Sequence, residues 1–270
     1  MKLLETGPSP RGWHRIQTML QCPQKYAYTY ETEGGREKTT SPPLIKGTLM
    51  HLALAHHYMR QKNEANGGDP KEWLPPKQAV EMMAIKEGGE WEEHINTVND
   101  CYDAYVAYWV HDAFKVLEVE QLAYAKIGPY ALTGRFDLVM EDSRGGVWVV
   151  DHKTTTRIHA NQRKFYSISG QLIGYAHMAR QHYGARFKGV LLNQIQHKAP
   201  CKFTRIELPP APNLIKKFPR IIIDAEERIA HLQKTRKPND YPLAANELTC
   251  FHRYGACKFL ERCKWGYKKS

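Results

Sequence analysis

No stretch of this chain approaches the roughly 20 consecutive apolar residues that a bilayer-crossing helix needs. Residues 1–10, MKLLETGPSP, lack the apolar core of a secretory signal. Neither a membrane protein nor an exported one is expected, and a cytoplasmic setting follows. No internal repeat and no low-complexity tract occurs, which sets aside solenoids and disordered linkers. A G-x-x-x-x-G-K-S/T phosphate loop is missing too, so a nucleotide-driven motor would have to be a separate partner protein. Nothing resembles a helix-turn-helix or a zinc-finger array, and base-specific reading of DNA is therefore not expected.

Acidic residues are the other shortage. Asp and Glu number 28 against 39 Lys and Arg, a formal charge of +11, and a surface of that sign gathers polyanions before any specific contact forms. Nucleic acid is the leading partner, although the same charge serves solubility in many proteins. The remaining composition, 42% hydrophobic and 25% charged, is that of a packed globular protein. Its 270 residues suffice for one large core, and we read a single domain over 1–270. Cysteines number only six, and in a reducing compartment they read as metal ligands or free thiols rather than disulfides.

Helical periodicity covers Trp13 to about Tyr30, Leu44 to about Gln61, Lys77 to about Glu93 and Val98 to about Phe114. The period then shortens. Val116–Lys126, Tyr130–Met140 and Val147–Lys153 alternate apolar and polar residues, with turns at Gly128-Pro129 and Ser143–Gly146. They read as three consecutive antiparallel strands. A helix from about Gln162 to Tyr183, strands near Lys188–Gln196 and Lys202–Leu208, and a helix from Ala211 to about Lys234 complete a mixed α/β chain.

Side chains two apart on a strand share a face, so Asp151 and Lys153 project together. A tight hairpin at Ser143–Gly146 would set Asp137 beside Asp151. Two neighbouring carboxylates repel unless a cation neutralises them, and hard oxygen ligands suit Mg²⁺ or Mn²⁺. Seen alone, Asp151 and Lys153 could equally be a solvated ion pair at a strand end. Further motifs weigh against that reading: Gly47-Thr48-Leu49-Met50-His51 puts a histidine on a helix, and Gln171 and Tyr175 stand four apart on one helical face.

In this order, GTLMH, GRFDLV, VVDHKT and QLIGY, the motifs resemble the RecB-like branch of the PD-(D/E)XK nucleases, whose pattern is G-x-x-x-H, G-x-x-D, (D/E)-x-K and Q-x-x-x-Y. That family includes the nuclease domains of RecB and AddB, CRISPR-associated exonucleases and many phage proteins. The resemblance implies a restriction-endonuclease-like core, with a central mixed sheet flanked by helices, in a bacterial or phage-infected cell. It implies that His51, Asp137 and Asp151 ligate Mg²⁺ or Mn²⁺ together with the main-chain carbonyl of His152. Lys153 would be the catalytic lysine, and Gln171 and Tyr175 would contact the DNA backbone or the scissile phosphate. The expected reaction is phosphodiester hydrolysis at DNA ends, as in recombination or repair, with a recombination or helicase partner a further implication. Glu120, on the strand before Asp137, could approach the site too, with a surface or structural role as the favoured reading.

The tail places Cys250, Cys257 and Cys263 within fourteen residues, a density that in a cytosolic protein points to metal. A tetrahedral site needs a fourth ligand. A subset of the same family joins an N-terminal cysteine to such a trio around a 4Fe–4S cluster, and Cys22, in a Cys-Pro-x-Lys-Tyr context, matches it. Segments of about 10–35 and 240–265 would then form a cluster subdomain that ties the termini. The first spacing of the trio, six residues, departs from the commonest two, which keeps zinc in contention. Cys101 and Cys201 read as packing residues.

Arg157, Arg163, Lys164, Lys258, Arg262, Lys264, Lys268 and Lys269 could line a strand-binding groove, with Phe165, Tyr166 or Trp265 for base stacking. For each of them a solvated surface, or for the aromatics the core, is the competing reading. The alternative for the whole protein is a non-catalytic nucleic-acid-binding or assembly factor with a structural zinc. The intact set His51, Asp137, Asp151 and Lys153 argues for the enzyme.

Overall fold

Pro23 divides the first expected helix in two. Helix α1 (Trp13–Gln21) ends at Cys22, which the following proline pushes to extended backbone (φ −161°, ψ 112°), and α2 (Pro23–Tyr30) starts on that proline. The Cys22 sulfur caps α2 by accepting the Lys25 N–H at 3.5 Å. In the computed structural model, residues 1–33, 35, 41–252 and 255–266 are described; Lys268 and Lys269 lie outside the described residues. Helix α3 (Pro42–Ala65) starts earlier than its periodicity indicates, because prolines in a first turn lack only N–H groups that would be unpaired anyway. Helix α4 (Pro76–Glu87) stops at Gly88, whose φ of 75° breaks it, and α5 (Ile95–Tyr108) follows a short turn of 3-10 helix.

Strands β1 (Lys115–Ile127), β2 (Tyr130–Glu141), β3 (Val147–Thr155), β4 (Phe187–Gln196) and β5 (Lys202–Leu208) form one sheet in the order β1-β2-β3-β4-β5. The β2–β3 pair is antiparallel, and its hairpin is closed by the Asp142 carboxylate, which accepts the N–H groups of Arg144 and Gly146 at 2.9 and 2.8 Å. Strand β4 runs parallel to β3, so the chain must cross over between them. The crossover is α6 (Gln162–Ser167) and α7 (Gly170–Tyr183), two helices where the periodicity indicates one; Ser169 is extended (φ −66°, ψ 119°) ahead of Gly170. Strand β5 pairs antiparallel with β4. The result is a mixed α/β fold with a five-stranded mixed sheet and flanking helices, as a restriction-endonuclease-like core requires. Helix α8 (Pro212–Thr235) leads to the tail: α9 (Glu247–Cys250), a hairpin of β6 (Phe251–His252) and β7 (Gly255–Ala256), and α10 (Leu260–Trp265).

The chain divides into two compact units. The first holds Met1–Pro10, Thr40–Ala125 and Thr133–Phe218. Its core joins Ile45 and Leu49 of α3 to Leu138, Val150, Leu191 and Ile195 of the sheet. Two motif glycines set the spacing here. A Cβ on Gly47 would lie 2.9 Å from Thr154 Oγ1, and one on Gly134 would lie 2.5 Å from Met178 Cε and 3.1 Å from Tyr175 Cε1. The second unit holds Arg11–Thr39, Lys126–Leu132 and Pro219–Ser270, so Cys22 and the cysteine-bearing tail both belong to it. It buries Ile16, Met19, Tyr26 and Tyr28 with Ile222, Ile229, Leu232 and Tyr241. Arg15 pairs there with Glu226 and donates to Tyr26 OH at 3.0 Å. Among the described residues no helix is long and apolar enough to cross a membrane.

Burial also sets an acid limit on the first unit. His57, whose Nδ1 is 3.0 Å from Tyr102 OH, has its pKa lowered by burial from 6.5 to about 4, with Asp112 opposing. Because the folded-state value is the lower one, the stability present above pH 6.5 is lost as pH falls toward about 4. His57→Gln is expected to flatten this fall by about 1–3 kcal/mol. Urea denaturation at pH 7 and pH 4.5 reads it; equal losses in variant and wild type would assign the acid sensitivity to other groups.

Candidate active site

The β2–β3 ladder runs from Glu141 opposite Val147 to Leu138 opposite Val150. The next residue on each strand is a carboxylate, Asp137 and Asp151. Asp151 is only 1% exposed. Lys153 Nζ pairs with its Oδ2 at 2.8 Å. Asp137 Oδ2 accepts the His152 N–H at 2.8 Å and lies 3.5 Å from His51 Nδ1, which α3 delivers. From α7, Gln171 Oε1 accepts from Lys153 Nζ at 3.2 Å. Gln171 Nε2 in turn donates to Tyr175 OH at 3.0 Å, and Tyr175 OH donates to Arg135 O at 2.8 Å. Asp137, Asp151, Lys153, Gln171, Tyr175 and His51 therefore form one connected group.

Its electrostatics are those of a site with surplus negative charge. Burial pushes the Asp151 carboxyl up, Lys153 opposes, and Asp137 adds to the rise. Burial alone would lower the Lys153 ammonium, but Asp151 and Asp137 outweigh it and hold the lysine charged. Two acids thus share one fixed cation, and their carboxylate oxygens are the hard donors a divalent ion would take. The residues fit Mg²⁺ or Mn²⁺ in that sense. Among the described residues no three His, Cys, Asp or Glu side chains are already arranged to hold an ion. Mg²⁺ commonly binds through one or two carboxylates, water and substrate phosphate, which suits an unclosed set.

The His152 ring is turned to other work. It is 2% exposed, meets the His51 ring edge-on at 5.7 Å, and its Nδ1 lies 2.8 Å from Asn193 Nδ2. Asn193 also donates to Tyr105 OH at 2.9 Å, and Tyr105 OH is 2.7 Å from Tyr58 OH. Arg205 donates to Tyr58 OH at 3.2 Å and to Asp112 at 2.6 Å, and its guanidinium stacks 3.9 Å from the Trp109 ring. This buried chain backs the strand that carries the site. Sequence reasoning missed it; its one local signal is Asn193, a polar residue interrupting Gly189–Leu192 of β4, and it is fully buried.

Glu120 is buried beside the acids, the approach to the site that was the less favoured reading. Its side chain is 6% exposed and 3.9 Å from Arg135 Nε. Burial, reinforced by Asp137 and opposed by Arg135, pushes its carboxyl up to about 8. A third acid therefore stands beside the pair.

The four cysteines of the expected cluster all belong to the second unit, but among the described residues no three of them are arranged to hold an ion. Burial raises the Cys263 thiol, and Cys22, Cys257 and Cys250 are near enough to raise it further. The long first spacing of the trio is taken up by the tail hairpin, which pairs Phe251 with Ala256 and brings Cys257 N–H to Cys250 O at 2.7 Å. All are free thiols. Cys101 is buried in the first unit's core with half-buried Cys201 packed against that core, and burial and Cys201 together raise the Cys101 thiol. Of the basic residues named for strand binding, Arg157, Arg163, Lys164 and Lys264 are exposed. Lys258 instead donates to Gly35 O at 2.8 Å, and Arg262 lies 3.6 Å over the Tyr28 ring.

A family model described as the PD-(D/E)XK nuclease superfamily matches residues 13–264. Among solved structures, a protein of Eubacterium rectale provisionally described as an exonuclease is similar in fold. The TM-score is 0.51 at 11% identity, covering 96% of this chain and 89% of that one. The crystal structure of SSO0001 covers 80% of this chain and 85% of its own at 13% identity, with a TM-score of 0.34 that carries no argument. No curated protein matches the chain.

Proposed function

Since the chain belongs to the PD-(D/E)XK nuclease superfamily, we propose that it is a divalent-metal-dependent DNA exonuclease of the RecB-like branch. The observation that carries this reading is the convergence of Asp137, Asp151 and Lys153 where β2 and β3 part, with the Asp151 carboxylate buried. Asp137 and Asp151, with His51 and the His152 carbonyl, would hold Mg²⁺ or Mn²⁺. The ion, when bound, would polarise the scissile phosphate and ease deprotonation of a water. Lys153 keeps its proton between Asp151 and Gln171, and so offers a positive charge to the phosphate as charge develops there. Gln171 and Tyr175 fix the height of that ammonium, because the relay to Arg135 O anchors both to β2. The Q-x-x-x-Y helix inclines the reading to DNA ends, and the net charge of +11 to sequence-independent contact with the backbone. Cys22, Cys250, Cys257 and Cys263 would carry a 4Fe–4S cluster as a structural staple.

The test is an anaerobic assay on end-labelled linear and closed circular DNA with Mg²⁺, Mn²⁺ or EDTA. Metal-dependent loss of linear DNA alone is expected. Cleavage of the circle would make the enzyme an endonuclease, and binding without cleavage under every metal condition would make it a non-catalytic binding factor.

A further inference from the structure

Beneath α6 the first unit leaves an open cavity of about 300 Å³. Leu172 of α7, Val190 of β4 and Ile215 of α8 give it an apolar floor, and Arg163, Lys164 and Tyr166 of α6 form its other wall. The cavity shares α7 with the catalytic group: Gln171 holds Lys153, and the next residue, Leu172, faces the cavity. Tyr166 is itself close enough to Lys153 to influence the charge of its ammonium. On the rim, Phe165 is 67% and Ile168 71% exposed, and the Phe165 ring meets Tyr166 edge-on at 5.1 Å. Exposed Arg163 and Lys164, which line the cavity, precede Phe165 directly on α6. A mere packing gap would need neither an aromatic held out in water nor cations about its mouth. A flat apolar group carrying phosphates would use both.

We propose that the cavity and the α6 rim bind an unstacked nucleobase of a single-stranded DNA end, with Arg163 and Lys164 on its phosphates and Phe165 against the base. The inference rests on the nuclease reading for its account of why the site lies beside Lys153, but binding is read without cleavage. A strand seated there would be led to Lys153 with its bases already separated, so single-stranded ends become the preferred substrate.

The experiment uses the full chain in EDTA with a single-stranded oligonucleotide carrying 5-iodouracil near one end, irradiated and mapped by mass spectrometry. Adducts within residues 162–176 are expected. Adducts confined to other segments, Trp265 among them, or no adduct at all, would overturn the proposal. In the metal-supplemented assay, Phe165→Ala is expected to raise KM for single-stranded DNA about tenfold, with kcat and melting temperature unchanged, since the ring packs no core. An unchanged KM would count against the site. Adducts on α6 in a protein that cleaves no DNA would sink the nuclease reading and leave the base site standing; cleavage with adducts elsewhere would do the reverse.

Discussion

Lys153→Ala is expected to slow cleavage of linear DNA about 10²–10³-fold at saturating metal, a loss typical of removing a fixed charge that acts on the developing transition state. The geometry makes Lys153 hard to replace. Its Nζ lies 2.8 Å from Asp151 Oδ2 and 3.2 Å from Gln171 Oε1, so it is held from two sides. Without it, Asp151, 1% exposed and already pushed toward protonation by burial and by Asp137, takes up a proton more readily. The variant thus loses the cation and weakens the carboxylate meant for the ion. A rise in the metal concentration needed for half-maximal rate should accompany the fall in kcat. Gln171→Ala, which leaves both charges in place, is expected to lose only about tenfold, the lower edge of a positioning effect. Initial rates and a melting curve for each variant check this; Lys153→Ala within tenfold of wild type would remove the lysine from the chemistry.

Replacing Cys22, Cys250, Cys257 and Cys263 together by Ala is expected to lower the melting temperature by at least about 10 °C. That figure combines a long-loop closure of about 4–5 kcal/mol with the shift of about 2–4 °C per kcal/mol for a domain of this size. Thiolate ligation also contributes directly to folding. The second unit is where the loss should concentrate, since Cys22 heads α2 and the other three lie on the tail hairpin and α10. Anaerobically purified protein should contain iron and acid-labile sulfide; zinc in their place would keep the staple and change its metal. A quadruple variant as stable as wild type would show that the thiols close no site.

What was legible in the sequence was local or periodic. The alternation of Val147–Lys153 put Asp151 and Lys153 on one face, and Ser143–Gly146 closed the hairpin that sets Asp137 near them. Gln171 and Tyr175, four apart, are hydrogen-bonded along α7. The breaks at Pro23 and Ser169 were written locally too, in a residue forced to extended backbone by proline and in a Ser-Gly step, but the apolar period ran through both.

The remainder depended on residues with no shared period. Glu120 alternates as a surface residue would, yet its φ of 50° and the neighbouring Arg135 turn it into the core beside Asp137. Asn193, Tyr105, Tyr58, Arg205 and Asp112 come from separate elements, and each alone is an ordinary polar residue. The six-residue gap between Cys250 and Cys257 was an obstacle in one dimension and a hairpin in three. By itself, then, the sequence determined that Asp151 and Lys153 share a face and that a hairpin brings Asp137 near them, because each is encoded within a few residues of chain. The tertiary structure alone decided how Asp151 comes to be buried, what braces His152, and where α6 leaves a cavity, because burial is a property of what packs around a residue.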